Sequence, residues 1–131
     1  MIGLDTNVVV RYLLKDDLAQ ARVAQRLFDE ATTATGPCFI SLATLLEVVW
    51  VLRSRYRIRP STIAAAIEGL LMAEGVLIQN EREVFAAMIA LSENTGSFED
   101  ALIGALGHWV GCHTTLTFDK NALKLPGFGP A

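Results

Sequence analysis

The chain has 131 residues, of which 52% are hydrophobic and 19% are charged, and its formal net charge is −3. This length suits a single domain spanning residues 1–131, and the composition excludes a disordered chain or a coiled coil. The acidic net charge argues against a protein that binds nucleic acid over its whole surface.

The amino-terminal residues and the cysteines indicate a cytoplasmic protein. Residues 1–5 lack the basic and long apolar segments of a secretory signal. The longest stretch without charge, 101–118, contains three glycines and two histidines, which suits a membrane span poorly. We therefore expect no membrane association. The two cysteines do not make a disulfide framework, so we also expect a reducing compartment.

Short apolar runs alternate with longer helical patterns along the chain. The predicted strands are residues 2–4, 38–40, 76–78, 112–116 and a short one near Phe128. The predicted helices are residues 8–14, from Asp16-Asp17 to the break at Gly36-Pro37, 42–56, 61–73, 80–93, 97–110 and a short one after Lys120. This alternation predicts an α/β fold with right-handed crossovers and a parallel sheet covered by helices on both faces.

Side chains near the predicted helix starts favour capping. Ser41 has the position of an N-cap, and both Asn80 with Glu83 and Ser97 with Asp100 have the spacing of a capping box.

The predicted helix 42–56 is apolar on almost every side before Arg53, which is typical of a buried helix. We therefore expect Glu47 to be a buried carboxylate, which is costly unless it is paired or bound to a metal. Trp50 and Trp109 are expected in the core, as helical aromatic residues usually are.

Four acidic residues are candidates for a shared site: Asp5, Glu47, Asp100 and Asp119. Asp5 and Asp119 each follow a strand, so both are expected in the crevice beyond the carboxyl ends of the strands. Local alternatives remain open: Asp5 could cap a helix, Asp100 could complete its capping box, and Asp119 could stabilise a turn. Glu47 could instead form a structural ion pair with a distant arginine.

A cluster of these carboxylates would be unfavourable without a cation. Two carboxylates about 4 Å apart repel by roughly 4 kcal/mol at an effective dielectric constant near 20. A divalent cation reverses the sign, and a ligand set made only of oxygen atoms favours Mg²⁺ or Mn²⁺ over zinc. The residues therefore predict a metal-dependent hydrolase.

Four short motifs resemble those of the PIN-domain ribonucleases. They are Asp5-Thr6-Asn7, Glu47 in an apolar helix, Phe98-Glu99-Asp100-Ala101-Leu102-Ile103, and Thr117-Phe118-Asp119. Their order and the chain length most resemble VapC-type toxins of bacterial toxin–antitoxin systems, over residues 2 to about 125. The resemblance implies a three-layer α/β/α sandwich with a central parallel sheet of four to five strands.

The resemblance also implies Mg²⁺- or Mn²⁺-dependent endoribonuclease activity on single-stranded regions of RNA. By this likeness Asp5, Glu47, Asp100 and Asp119 are the catalytic and metal-binding residues, with Asp5 and Asp100 as direct ligands. Residues implied to support them by hydrogen bonds are Thr6, Asn7 and Thr117. Relatives usually form homodimers and are inhibited by a small cognate antitoxin of the VapB type.

Positive charge is concentrated at residues 53–59, which include four arginines. Such a patch could bind a polyanion or an acidic partner, or it could be a solvated helix end. Candidate contacts with RNA or with the antitoxin are Arg11, Arg55, Arg59 and Lys120. The alternative function is a non-catalytic PIN-like binding or scaffold module, which would tolerate Asp5→Asn.

Overall fold

A computed structural model describes residues 1–31 and 36–131, and over these residues it shows six α-helices and five β-strands. In chain order they are β1 Ile2–Gly3, α1 Thr6–Leu14, α2 Leu18–Glu30, β2 Cys38–Ile40, α3 Leu42–Ser54, α4 Pro60–Met72, β3 Val76–Ile78, α5 Glu81–Ser92, α6 Phe98–Trp109, β4 Thr115–Thr117 and β5 Phe128–Pro130. A 3₁₀ turn, Ala122–Lys124, lies between β4 and β5. The predicted α/β class is confirmed.

Two element boundaries differ from the sequence prediction. The strand expected at 112–116 begins at Thr115, because the N–H of Cys112 donates to the carbonyl oxygen of Gly107 and so closes the end of α6. The second helix ends at Glu30 rather than at the Gly36-Pro37 break. Residues 32–35, which that helix was expected to include, lie outside the described residues.

The strands form two parallel sheets. β2 pairs in parallel with β1 on one side and with β3 on the other, in the order β1-β2-β3. β4 pairs in parallel with β5 in a separate sheet. The strand number agrees with the expected four to five, but within the described part of the chain no ladder joins β1 to β4. The carboxyl ends of β1 and β4 therefore do not lie side by side in one sheet.

The core is built from one face of each helix around the three-stranded sheet. Its fully buried side chains include Val9, Ile40, Leu45, Leu52, Ile63, Ile67, Val84, Phe98 and Leu102. Each such side chain contributes about 1.5–3 kcal/mol of burial free energy. Because this core includes residues of α1, α3 and α6, the same packing holds the three helices that carry Glu47 and Asp100 or begin directly after Asp5.

The predicted caps form at two of three helix starts. Ser41 Oγ accepts the N–H of Thr44 at 3.1 Å, and Ser97 Oγ accepts the N–H of Asp100 at 3.1 Å. The prediction at Asn80 is wrong. Its φ of +52° is left-handed rather than extended, and its side chain donates to Glu83 Oε1 at 2.9 Å instead of capping the backbone.

The longest helices contain 13 residues and so span about 20 Å, whereas the hydrocarbon core of a bilayer is about 30 Å thick. Among the described residues, no helix has the length and apolar character that a membrane crossing requires.

Candidate functional site

Asp5 stands between β1 and α1 and caps the helix. Its backbone is extended, with φ −84° and ψ 161°, and its Oδ1 accepts the N–H of Thr6 at 2.8 Å. The capping alternative is therefore realised, but it uses only one carboxylate oxygen. The residue is exposed, so the other oxygen remains accessible to a ligand.

Glu47 lies in the middle of α3 and is exposed, so the expectation of a buried carboxylate is wrong. α3 buries the face formed by Leu45, Val48, Val49 and Leu52 and leaves the opposite face accessible. Within the described part of the chain, Glu47 has no ion pair or hydrogen bond, so the structural ion pair is not found there. Because Glu47 is exposed, its charge carries no desolvation cost, and burial gives no reason to expect a metal at this residue. Both of its carboxylate oxygens remain accessible to a ligand.

Asp5 and Glu47 line the same surface depression, which has a volume of about 250 Å³. Thr6, Asn7, Arg11 and Arg55 also line it, together with two aromatic side chains. Two carboxylates thus lie close to two cations at the carboxyl end of β1. The predicted association of Asp5 with Glu47 agrees with this arrangement.

Thr6 provides an independent test of whether this depression suits a metal ion. Its side chain is 7% exposed, and its Oγ1 has no hydrogen-bond partner among the residues that the structure describes. A buried hydroxyl without a partner is unfavourable, and it lies beside an accessible carboxylate. Mg²⁺ is usually held by one or two carboxylates plus waters and substrate oxygens. The oxygen donors of Asp5, Glu47 and Thr6 fit such an ion.

Arg11 is fixed at the rim of this depression by side chains from three segments. It donates from Nε to Gln20 Oε1 at 2.7 Å and from Nη1 to Asp16 Oδ1 at 3.2 Å and Tyr56 Oη at 3.4 Å. Tyr56 in turn donates to Asp16 Oδ2 at 2.9 Å. The hydrogen bond with Tyr56, followed by the charge of the ion-pair partner, raises the pKa of Arg11 and lowers the pKa of Asp16.

Asp100 and Asp119 line a second depression, of about 620 Å³. Asp119 Oδ1 accepts the N–H of Asn121 at 2.7 Å, and Thr117 Oγ1 accepts the N–H of Asp119 at 3.0 Å, so the turn alternative for Asp119 is realised. Ser97 caps α6 without a return bond from Asp100 among the described residues. The carboxylate of Asp100 is therefore not used by a capping box.

The four predicted residues line two depressions, Asp5 and Glu47 the first and Asp100 and Asp119 the second. Within residues 1–31 and 36–131, no group of three or more His, Cys, Asp or Glu side chains is placed to hold one metal ion. β1 and β4 belong to different sheets, and the sharing of one crevice by Asp5 and Asp119 stays a prediction. Asp5 keeps Glu47 as its acidic neighbour, and Asp100 keeps Asp119.

An ion pair links the helices beside the two depressions. Arg53 Nη1 on α3 lies 2.7 Å from Glu99 Oε1 on α6. The same oxygen is buried without an oriented hydrogen bond, so the contact is a charge pair rather than a directed bond. Because Arg53 is neutralised by this contact, it is less available to an anion.

The predicted basic contacts fall in different places. Arg55 is exposed, lines the first depression and has no ion-pair partner in the described part of the chain. Arg59 is the residue before Pro60 at the start of α4, and Lys120 lies in the turn after β4; both are exposed. Of these three residues, Arg55 is the one that lines the depression with Asp5 and Glu47.

Sequence reasoning missed two aromatic residues of the first depression. Trp50 is 49% exposed and Tyr56 is 40% exposed, and both line the depression. The expected burial of Trp50 is wrong, as is that of Trp109, which is 63% exposed. Trp50 lies three residues after Glu47, so helical spacing places both on one face of α3. That spacing is the signal that could have identified it.

The fold and the acidic residues define an α/β protein whose carboxylates follow parallel strands or lie in the adjoining helices. Comparison with family models identifies the family: the model of the PIN domain matches residues 2–127, and the chain belongs to the PIN domain family. PIN domains have an α/β/α fold and are generally nucleases that use divalent metal ions. A search of curated proteins finds no match to this chain.

Proposed function

We propose that this protein is an endoribonuclease toxin of the VapC type, which hydrolyses RNA phosphodiesters with Mg²⁺ or Mn²⁺ and is inhibited by a cognate antitoxin. The observation that carries the nuclease proposal is the first depression. There, Asp5 and Glu47 present free carboxylate oxygens beside the unpartnered hydroxyl of Thr6, in a chain of the PIN family.

The side chains of this depression have separate tasks. Asp5 and Glu47 would hold the cation, and Thr6 would offer its hydroxyl to the cation or to one of its waters. The N–H of Thr6 keeps the carboxylate of Asp5 oriented through the 2.8 Å hydrogen bond. When bound, the cation supplies an activated water and offsets negative charge on the phosphoryl group.

Arg55 and Arg11, which both line the first depression, have different tasks. Arg55 has no ion-pair partner among the described residues and is free to bind a phosphate. Arg11 is already paired with Asp16, so its main effect is to keep the rim of the depression in place. We expect Arg55→Ala to weaken RNA binding more than Arg11→Ala does.

Asp100 and Asp119 match acidic positions of the family motif but line the second depression. We assign metal binding to Asp5 and Glu47 on geometry, and we keep Asp100 and Asp119 as proposed catalytic residues on resemblance. Asp5→Asn is expected to abolish cleavage, and Asp100→Asn is expected to reduce it. Comparing the two variants at several metal concentrations shows whether both pairs serve one reaction.

The test of nuclease activity uses the purified chain, freed of any partner. End-labelled RNA with single-stranded loops is incubated in Mg²⁺, Mn²⁺ or EDTA, with Asp5→Asn prepared in parallel as the control for contaminating ribonuclease. We expect products with 5′-phosphate and 3′-hydroxyl ends that require metal and the native Asp5. Equal cleavage by both proteins, or none in any metal, would contradict the proposal.

The toxin assignment rests on the order of the motifs and needs its own test. Expression of the native chain is expected to arrest growth of its host cell, and Asp5→Asn is expected to relieve the arrest. Co-expression of a VapB-like antitoxin should also restore growth. We further propose a homodimer, which light scattering of the purified protein would detect as a doubled mass.

A non-catalytic PIN-like module is the second candidate. It is favoured because, within residues 1–31 and 36–131, no three His, Cys, Asp or Glu side chains are grouped to hold one metal ion. Such a module would bind its partner equally well with Asp5 or with Asn at that position. RNA binding without cleavage, unchanged by Asp5→Asn and by metal, would support this candidate against the nuclease.

A further inference from the structure

Trp50 is placed where a ligand can reach it. The indole is 49% exposed, although its neighbours Val48, Val49 and Leu52 on α3 are buried. Within the described residues its ring is stacked on no other ring, and its N–H has no acceptor. Trp is highly buried on average, so an unpartnered indole beside two carboxylates requires an explanation.

Tyr56 provides a second aromatic surface in the same depression. Its hydroxyl is held by the 2.9 Å bond to Asp16 and by the 3.4 Å contact with Arg11, so its ring is fixed while it remains 40% exposed. A ring that is already ordered loses little conformational entropy when it binds a flat ligand.

The charges around these rings indicate what the ligand contains. Arg55 provides a cation for a phosphate, and Asp5 with Glu47 repels an anion unless a metal is present. The depression of about 250 Å³ lies below the roughly 300–1,000 Å³ of typical small-molecule pockets. It therefore suits one flat group that belongs to a larger, phosphate-containing molecule.

An unpaired nucleobase meets these requirements. Aromatic side chains stack on bases of single strands without strong sequence preference, because every base has a π-face. In a duplex the neighbouring bases cover those faces, so a half-exposed ring on a surface selects bases that are unstacked.

We propose that Trp50 and Tyr56 form a stacking subsite for one unpaired base of single-stranded RNA, with Arg55 on an adjoining phosphate. The subsite lies beside Asp5 and Glu47, so it rests on the nuclease function proposed above and explains how a single-stranded segment is presented there. Stacking and a single cation also let an acidic protein bind RNA without a broad basic surface.

Tryptophan fluorescence tests the subsite directly, since the chain has only two tryptophans. Trp109→Phe leaves Trp50 as the sole indole, and Asp5→Asn in the same protein prevents cleavage, so that Mg²⁺ can be present throughout the titration. The protein is titrated with a single-stranded oligoribonucleotide, with a duplex of the same composition and with inorganic polyphosphate. We expect saturable quenching by the single strand and little by the other two. Absence of quenching, or equal quenching by the duplex, would overturn the subsite.

Binding by variants provides a second readout. Trp50→Ala is expected to weaken binding of the single strand by about 5- to 100-fold, and Trp50→Phe by much less. Trp109→Ala is the matched control, because it removes an exposed indole outside the depression, and it should change binding less than twofold. Circular dichroism verifies that each variant is folded. Unchanged binding by folded Trp50→Ala would mean that the indole serves another surface, such as a protein contact, and would reject the proposal.

The result is separable from that of the nuclease test. Trp50-dependent binding without any metal-dependent cleavage would support the subsite and contradict the nuclease. Cleavage that requires Asp5 and has the same KM in Trp50→Ala would support the nuclease and reject the subsite.

Discussion

Asp5 shows how one side chain serves both the fold and the site. Its Oδ1 closes the start of α1 on the N–H of Thr6, while the rest of the carboxylate faces an accessible depression. The local and the functional interpretations of this residue therefore do not compete. The same holds for Asp119, whose Oδ1 fixes a turn beside the second depression.

Two substitutions at Asp5 separate these roles. Asparagine keeps an oxygen for the cap, so Asp5→Asn should leave the metal-free thermal midpoint unchanged or slightly higher, because repulsion with Glu47 is relieved. Alanine removes the cap, which should cost about 1 kcal/mol and lower the midpoint by roughly 3–5 °C. Calorimetry in EDTA measures both. A large loss of stability in Asp5→Asn would show that its negative charge is structural.

Tyr56 controls the titration of Asp16. The pKa of Asp16 is lowered from its ordinary value of 3.8, first by the hydrogen bond from Tyr56 and also by the charge of Arg11. A carboxylate whose pKa is lower in the folded protein than in the unfolded chain stabilises the folded state at any pH above the unfolded pKa. This contribution to the free energy of unfolding is therefore present at neutral pH and is lost as the pH falls through the folded pKa.

Tyr56→Phe should therefore raise the pKa of Asp16, which carbon-detected NMR titration would measure. The stability difference between native protein and variant in urea should be larger at pH 6 than at pH 3. Tyr12→Phe is the matched control, since Tyr12 stacks on Phe28 and does not contact Asp16. A pKa of Asp16 that is equal in native protein and Tyr56→Phe would contradict the assigned cause.

At the scale of elements, the contact of α6 with β5 depends on a small residue. A Cβ added to Gly104 would lie 2.7 Å from Phe128 Cε2. Helix α6 can therefore approach the β4–β5 sheet this closely only because Gly104 has no Cβ. Gly69 on α4 is exposed and a Cβ there meets nothing within 4 Å.

The two glycines predict opposite effects of alanine. Gly69→Ala should stabilise the protein by up to about 1 kcal/mol through helix propensity. Gly104→Ala gains the same propensity but forces overpacking that costs about 1–3 kcal/mol, so it should destabilise. Urea unfolding measures both, and Phe128→Leu should relieve the defect of Gly104→Ala. If both alanine variants are stabilised equally, the contact of α6 with Phe128 is not tight.

At the scale of the whole molecule, charge limits how RNA can be bound. The net charge is −3, and two arginines near the depressions, Arg11 and Arg53, are already ion-paired. Binding should therefore release few counterions, unlike that of a protein with a broad basic face.

The affinity for single-stranded RNA should depend weakly on salt. One or two phosphate contacts predict a slope of about −0.7 to −1.4 for the logarithm of the binding constant against that of salt concentration. Arg55→Ala should make the slope shallower by about 0.7. Arg22→Ala removes an equal charge from an exposed position on α2 and should not change the slope. A slope steeper than about −3 would reveal a basic surface that these contacts do not include.

The linear sequence was enough to predict the order of strands and helices, the caps at Ser41 and Ser97, and the PIN motifs around Asp5, Glu47, Asp100 and Asp119. These features depend on hydrogen bonds and apolar spacing within a few residues, which a linear pattern contains. The cap predicted at Asn80 was wrong for a local reason too, because the residue type alone does not show that its backbone is left-handed.

Which face of α3 is buried depends on tertiary packing, and so does the accessibility of Glu47 and Trp50. Tertiary packing also places the acidic residues along two depressions and brings Tyr56 to Asp16 across 40 residues of sequence. Such outcomes depend on how distant elements pack and on which strand edges meet. Since an apolar helix can bury either of two faces, local sequence leaves that choice open.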